Sequence, residues 1–115
     1  MSEKPTYLGE FEEIVLLAIL RLEENAYGVK IRQTVEQIGE RPTSIGAIYT
    51  TLDRLEKKGY VSSKQGEATA ERGGRAKRYF EATGLGLKAL RQIHRVRDNM
   101  LRGVDIGLEP VGGKL

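Results

Sequence analysis

The chain has 115 residues, of which 39% are hydrophobic and 30% are charged. This length suits one domain with a modest core and leaves little room for a deep catalytic cavity. Because the sequence has no cysteine and one histidine, it excludes a disulfide, a thiolate nucleophile and a cysteine-based metal site. His94, in the middle of a predicted helix, suits packing better than general-base catalysis. We therefore expect no enzyme activity, no cofactor and no metal site.

The net charge of +3 is unevenly distributed along the chain. Residues 1–25 contain six acidic and two basic residues, a net charge of −4, so the other ninety residues carry +7. A basic body with an acidic first segment suits a surface that faces phosphates on one side, and it equally suits an ordinary solvated surface.

The longest apolar run, from Ile14 to Leu20, is too short to span a bilayer. The acidic residues before it, Glu10, Glu12 and Glu13, are wrong for a secretory signal peptide. We expect a cytoplasmic protein with no membrane partner.

Hydrophobic periodicity predicts a first helix from about Tyr7 to Asn25. Its apolar residues lie on nearly every face, so it must be covered on more than one side. We expect one side to face the core of the domain and another to face a second copy of the chain. The alternative is one large intramolecular core.

A second, amphipathic helix is predicted from Tyr27 to Ile38, followed by a tight connection because Gly39 stops helices and Pro42 disfavours helix at the residue before it. Its predicted buried stripe consists of Tyr27, Ile31, Val35 and Ile38.

The third predicted helix begins after Ser44, a suitable N-cap, and runs to Lys58 before Gly59. Two short helices joined by a tight turn are typical of DNA-binding helix-turn-helix units, whose second helix enters the major groove. The predicted buried stripe consists of Ile45, Ile48, Leu52 and Leu55. The opposite face presents short, hydroxylated or basic residues, with Asp53 the exception: Thr43, Gly46, Ala47, Thr50, Arg54 and Lys57.

A β-hairpin is predicted from Tyr60–Lys64 and Lys77–Glu81, with a long glycine-containing connection from Gly66 to Ala76. We expect this hairpin to act as a wing, whose flexible basic loop can lie along a DNA backbone or reach into a minor groove. A solvated loop is the alternative. The four cations of the wing, within seven residues, are Arg72, Arg75, Lys77 and Arg78.

The last predicted helix starts after Thr83, another N-cap candidate, and ends near Arg102. Gly84–Ala89 formally fits the dinucleotide motif G-x-G-x-x-A, but that motif needs a second parallel strand after the helix, which the sequence does not predict. The predicted apolar stripe consists of Leu87, Leu90, Ile93, Met100, Leu101 and Val104.

These elements predict a mainly α fold with a small β-hairpin, a winged helix-turn-helix plus a C-terminal dimerisation helix. We expect a DNA-binding domain over residues 1–82, a dimerisation helix over residues 83–104 and a flexible tail over residues 105–115.

Several segments resemble the PadR-like family of regulators: Tyr27-Gly28, residues 44–49 (SIGAIY), residues 52–61 (LDRLEKKGYV) and residues 73–80 (GGRAKRYF), closed by Thr83 and Gly86. The resemblance extends from about Leu8 to Leu101. It implies a dimer held by the last helix, a recognition helix in DNA, and repression of nearby genes that a small-molecule effector often relieves. The chain departs from the family at Ala82, where leucine is usual, and in its long wing loop. Because it lacks tryptophan, the stacking of aromatic ligands between tryptophans in some relatives does not carry over.

We predict a dimeric DNA-binding regulator, a repressor, whose partners are double-stranded DNA, a second copy of the chain and an effector of unassigned identity. A winged-helix module that binds proteins instead of DNA is the first alternative, and a small nucleotide-binding protein is the second. Tyr49 suits packing and a phosphate hydrogen bond equally, and Arg54 suits either DNA or neighbouring acids. The predicted DNA contacts are Thr43, Ser44, Gly46, Ala47, Tyr49, Thr50, Arg54, Arg72, Arg75, Lys77 and Arg78. The predicted dimer contacts are Phe11, Leu16, Ile19, Leu20, Leu87, Leu90, Ile93, His94, Met100 and Leu101.

Overall fold

The computed structural model describes residues 8–66 and 77–107, and it contains the predicted elements in the predicted order. The helices are α1 (Glu10–Leu22), followed by a 3-10 turn (Glu23–Asn25), α2 (Gly28–Gln37), α3 (Ile45–Lys57) and α4 (Gly84–Leu101). The strands are β1 (Val61–Gln65) and β2 (Arg78–Ala82). The described helices include none that is long and apolar enough to cross a membrane.

Two predicted N-caps are confirmed, and they explain where α3 and α4 begin. The Ser44 hydroxyl accepts a hydrogen bond from the Ala47 amide at 3.0 Å. The Thr83 hydroxyl accepts one from the Gly86 amide at 3.1 Å and donates one to the Gly59 carbonyl at 2.7 Å. Each cap satisfies an amide that the first helical turn leaves without an intrahelical partner.

The core lies between the first three helices, and the hairpin and the start of α4 close it. Helical spacing puts the apolar residues of each helix on one side, so that they meet in the centre. The largest fully buried side chains are Val15, Leu16, Ile31, Val35, Ile48, Leu52 and Leu55. Tyr60, Val61, Phe80, Ala89 and Leu90 complete the core.

The predicted stripes are wrong at two isoleucines. Ile38 is 57% exposed and Ile45 is 39% exposed, because each lies at an end of its helix: Ile38 is the C-cap residue of α2 and Ile45 is the first residue of α3. Thr51, which the hydrophobic pattern does not mark, is buried instead.

The hairpin is antiparallel, with Val61 opposite Ala82 and Gln65 opposite Arg78. Its second strand is also joined to the segment before α2, since the Phe80 amide donates to the Ala26 carbonyl at 2.8 Å. This contact anchors the base of the wing beside the helix-turn-helix. The sheet contains only these two antiparallel strands within the described residues, which removes the structural basis for the dinucleotide motif.

Gly86 has a packing role in this fold. A Cβ added to Gly86 would overlap the Tyr60 carbonyl oxygen, so the absence of a side chain lets α4 lie against the start of the hairpin. Gly84, two residues earlier, has nothing within 4 Å of an added Cβ.

We expect Gly86→Ala to lower the free energy of unfolding by about 2 kcal/mol, because backbone must shift to admit the methyl group. Gly84→Ala is the matched control and should leave stability unchanged or raise it by about 0.5 kcal/mol. Urea unfolding of both variants checks this. Equal stability of the two variants would contradict the close approach of α4 to Tyr60.

Candidate nucleic-acid interface

The turn between α2 and α3 is held by side chains from both sides. Glu36 accepts hydrogen bonds from the Thr43 amide at 3.2 Å and from Arg32 at 3.1 Å. Arg41 pairs with Glu10 of α1 at 3.2 Å, and its guanidinium lies 5.2 Å from the ring centroid of Phe11. These contacts fix the turn, so α3 is presented at a defined angle to α2.

One side of α3 is buried and the other is open. Ile48, Leu52 and Leu55 are fully buried. The exposed flank of α3 consists of Gly46, Ala47, Thr50, Arg54 and Lys57, as expected from the sequence. Its side chains are short near the start of the helix and basic near the end. Such a surface allows close approach of a duplex to the helix.

The residues before the helix have roles in the fold as well. The Ser44 side chain is exposed but serves as the N-cap. Thr43 is half-buried, and its amide donates a hydrogen bond to the Glu36 carboxylate. The first turn of α3 contains no acidic residue, and the nearest carboxylate that the contacts show is that of Glu36, on the Thr43 amide just before the N-cap.

Tyr49 combines the two roles that its sequence position left open. Its ring and hydroxyl lie against Gly28, where a Cβ would overlap them, yet the residue remains 38% exposed. Tyr49 therefore packs α3 onto the start of α2 while part of it stays accessible at the surface.

The described cations of the wing are both in contact with the chain itself. The Lys77 ammonium lies 3.7 Å from the ring centroid of Tyr27, which packs edge-on against Tyr79 at 5.6 Å. Arg78 pairs with Glu56 of α3 at 2.6 Å. The other two predicted wing contacts, Arg72 and Arg75, lie outside the described residues.

The buried carboxylate of Glu12 in α1 holds the C-terminal end of α3. It accepts two hydrogen bonds from the Lys58 ammonium, at 2.8 and 3.0 Å, and one from the Gly9 amide at 2.8 Å. Burial by itself raises the pKa of Glu12, but these hydrogen bonds and the charges of Lys58 and Arg54 outweigh it and lower the pKa. Glu12 is therefore ionised at neutral pH and keeps its contact with α3.

A second surface involves the predicted dimer contacts, and three of those predictions need correction. Leu16, Ile19 and Leu90 are at most 5% exposed, because they pack in the chain's own core. Met100 is 72% exposed and Leu101 is 42% exposed.

The remaining predicted dimer contacts differ in accessibility. Leu20 is 39% exposed, and Phe11, Leu87 and Ile93 are half-buried. His94 is exposed and lies 3.2 Å from the buried carboxylate of Glu13, which also pairs with Arg97 at 3.0 Å. Other exposed apolar residues on α1, on α4 and just after α4, outside the predicted dimer contacts, include Leu17, Leu85, Val96, Val104 and Ile106.

In the part of the chain that the structure describes, no group of histidine and carboxylate side chains is arranged to hold a metal ion. The site is instead a helical surface with an adjacent two-stranded wing. The first three helices, of which α3 is capped and open on one side, and the β-hairpin beside α3 define a winged helix-turn-helix protein.

The chain belongs to the PadR-like family of transcriptional regulators, because the model of the "Transcriptional regulator PadR-like family" matches residues 16–92. This is a family of transcription factors, not of enzymes, and its members are DNA-binding regulators. No significant match was found among curated proteins.

Solved structures with the same fold include regulators from several bacteria. A transcriptional regulator from Clostridium thermocellum has 21% identity and a TM-score of 0.65, with 85% of this chain and 92% of that chain covered. A PadR family regulator from Eggerthella lenta DSM 2243 has 24% identity and a TM-score of 0.64, with 83% and 82% covered. A Streptococcus transcriptional regulator has 25% identity and a TM-score of 0.65, with 83% and 88% covered.

The Glu12–Lys58 contact makes stability depend on pH. A carboxyl group whose pKa is lowered by folding stabilises the fold above its unfolded pKa, and this stabilisation is lost as pH falls through the folded pKa. We expect Glu12→Gln to be less stable than the wild type at neutral pH, with the difference shrinking below about pH 4. Urea unfolding across this range measures it, with Glu24→Gln as the control for loss of an exposed carboxylate. A constant difference at all pH values would contradict the assignment.

Proposed function

We propose that the protein is a transcriptional repressor that binds a two-fold-symmetric operator as a homodimer. Residues 1–82 would form the DNA-binding domain and residues 83–104 the dimerisation helix. The observation that carries this proposal is the exposed flank of α3, which lies open beside the wing while the other side of the same helix is buried.

The chemistry along α3 supports contact with duplex DNA. The start of the helix offers backbone amides and the positive end of the helix dipole to a phosphate. Gly46, Ala47 and Thr50 are short enough to let the helix approach base edges in the major groove. Arg54 and Lys57, further along, reach toward phosphates on either side.

The wing extends this surface with positive charge. Lys77 lies at the base of the wing, on the ring of Tyr27, and Arg72 and Arg75 precede it in the sequence. We expect these residues to bind the DNA backbone beside the groove that α3 enters, which would strengthen the salt dependence of binding.

The far end of α4 supports the homodimer. Its first half is buried through Gly86, Ala89 and Leu90, but Val96, Met100 and Leu101 stay exposed. A groove of about 440 Å³ between α1 and α2 is lined by apolar residues that include Leu17, Leu20 and Ile38.

Exposed apolar surfaces of this kind, bordered by polar residues, are typical of protein–protein contact sites. A second copy that covers them would place two α3 helices for two operator half-sites, as in other helix-turn-helix dimers. Occupancy of the operator would then block transcription.

DNA recognition is tested by selecting binding sites from random duplex DNA and measuring affinity by gel shift. Thr50→Glu puts a carboxylate on the exposed flank of α3, and we expect it to weaken binding by at least about tenfold through repulsion of the DNA. Asn99→Glu, on the polar side of α4, is the matched control and should bind like the wild type. Failure of the wild type to select any site would favour the protein-interaction module. Undiminished binding by Thr50→Glu would exclude α3 as the recognition helix.

Dimerisation is tested by sedimentation velocity. We expect Met100→Glu to shift the protein toward the monomer, because a charge would be buried in the interface. Asn99→Glu adds the same charge one residue away, outside the apolar side, and should remain dimeric. A wild-type protein that sediments as a monomer at all concentrations would refute the homodimer.

A further inference from the structure

A closed polar network joins α3 to both strands of the wing. The Glu56 carboxylate of α3 pairs through Oε1 with Arg78 Nη2 of β2 at 2.6 Å. Its other oxygen accepts a hydrogen bond from the Ser63 hydroxyl of β1 at 2.9 Å. Arg78 Nε donates to the same hydroxyl at 3.2 Å, which closes the ring.

The position of this network on the hairpin gives it mechanical importance. The base of the hairpin is held by Val61 and Phe80 in the core, whereas Arg78 pairs with Gln65 at the opposite end of the two strands. A two-stranded ribbon is only marginally stable by itself, so its far end needs an external contact to keep one orientation. In the described chain, Lys77 and Tyr79 connect this end to Tyr27 before α2, and the Glu56 network connects it to α3.

The network also changes the role that the sequence suggested for Arg78. Its charge is balanced by Glu56, and its guanidinium lies 5.0 Å from the ring centroid of Phe80. To bind a phosphate, Arg78 would have to leave a charge-assisted hydrogen bond and a partly desolvated position. Its planar guanidinium instead joins β2 to α3 through Glu56 and to β1 through Ser63.

We propose that Glu56 is a positioning residue that sets the orientation of the wing relative to the recognition helix, acting through Arg78 and Ser63. This inference rests on the proposed DNA binding, since it assigns how the wing is presented to the duplex. A wing that is already oriented loses less conformational freedom when DNA binds, so affinity depends on the network even though none of its members contacts DNA.

The sign of one substitution separates this role from simple electrostatics. Removing a negative charge from a DNA-facing helix should strengthen binding, because the remaining surface attracts phosphates more strongly. If Glu56 only held Arg78 away from DNA, Glu56→Gln would strengthen binding too. If Glu56 positions the wing, the same substitution weakens binding.

The experiment compares Glu56→Gln with Asp53→Asn by gel shift on a selected site, with urea unfolding to correct for the folded fraction. Asp53 lies on the same helix, is exposed, and forms no ion pair within the described residues, so it is the matched charge control. We expect Glu56→Gln to weaken binding by about fivefold. Asp53→Asn should bind as well as the wild type or better.

Arg78→Lys adds a second criterion, since it keeps the positive charge but removes the guanidinium that bonds to Glu56 and Ser63 at once. We expect it to weaken binding as much as Glu56→Gln, with the double variant no weaker than either single one, because both break one network. Wild-type or tighter binding by Glu56→Gln, near-wild-type binding by Arg78→Lys, or additive losses in the double variant would overturn the proposal.

Hydrogen exchange on the free protein makes the test independent of DNA. We expect Glu56→Gln to speed exchange of the β1 and β2 amides while the α1 and α2 amides exchange as in the wild type. Unchanged exchange in the strands would refute the positioning role even if DNA binding holds. Faster exchange in a protein that selects no DNA would refute the proposed function and leave the network intact.

Discussion

The contact of the buried side of α3 with α1 and α2 is the interaction on which the rest of the structure depends. Ile48, Leu52 and Leu55 are completely withdrawn from water, and each such side chain stabilises the fold by about 2 kcal/mol. Because the helix repeats every 3.6 residues, burial of these residues leaves Gly46, Thr50 and the basic side chains on the opposite side. The same helical repeat therefore gives α3 both its stabilising buried side and its open surface.

Carboxylates hold the parts of this domain together. Glu36 fixes the turn before α3, Glu12 holds its C-terminal end through Lys58, and Glu56 joins it to the wing. Glu13, also buried, pairs with Arg97 of α4 and lies beside His94. The acidic first segment of this basic chain is thus partly internal, where its charges are balanced by cations from other helices. That arrangement leaves positive charge on the outer surface that faces DNA in the proposed function.

The features that the sequence predicts correctly depend on residues close in the chain. Helical periodicity predicts four helices, the residue types of the hairpin predict two strands, and Ser44 and Thr83 are predicted as caps. The exposed flank of α3 was predicted on the same basis. The errors concern which neighbour covers a residue: Leu16, Ile19 and Leu90 are apolar as expected, but they pack within the chain and not against a partner.

The sequence by itself determined the order and type of the elements, the caps that begin α3 and α4, and the side of α3 that is free of apolar groups, since helical and strand periods and capping act over a few residues. Only the tertiary structure decided the use of the charged groups. Glu56 and Arg78 are 22 residues apart, and Glu12 and Lys58 are 46 residues apart. No local pattern specifies which cation a carboxylate will meet, because that depends on how helices and strands that are distant in the chain pack together.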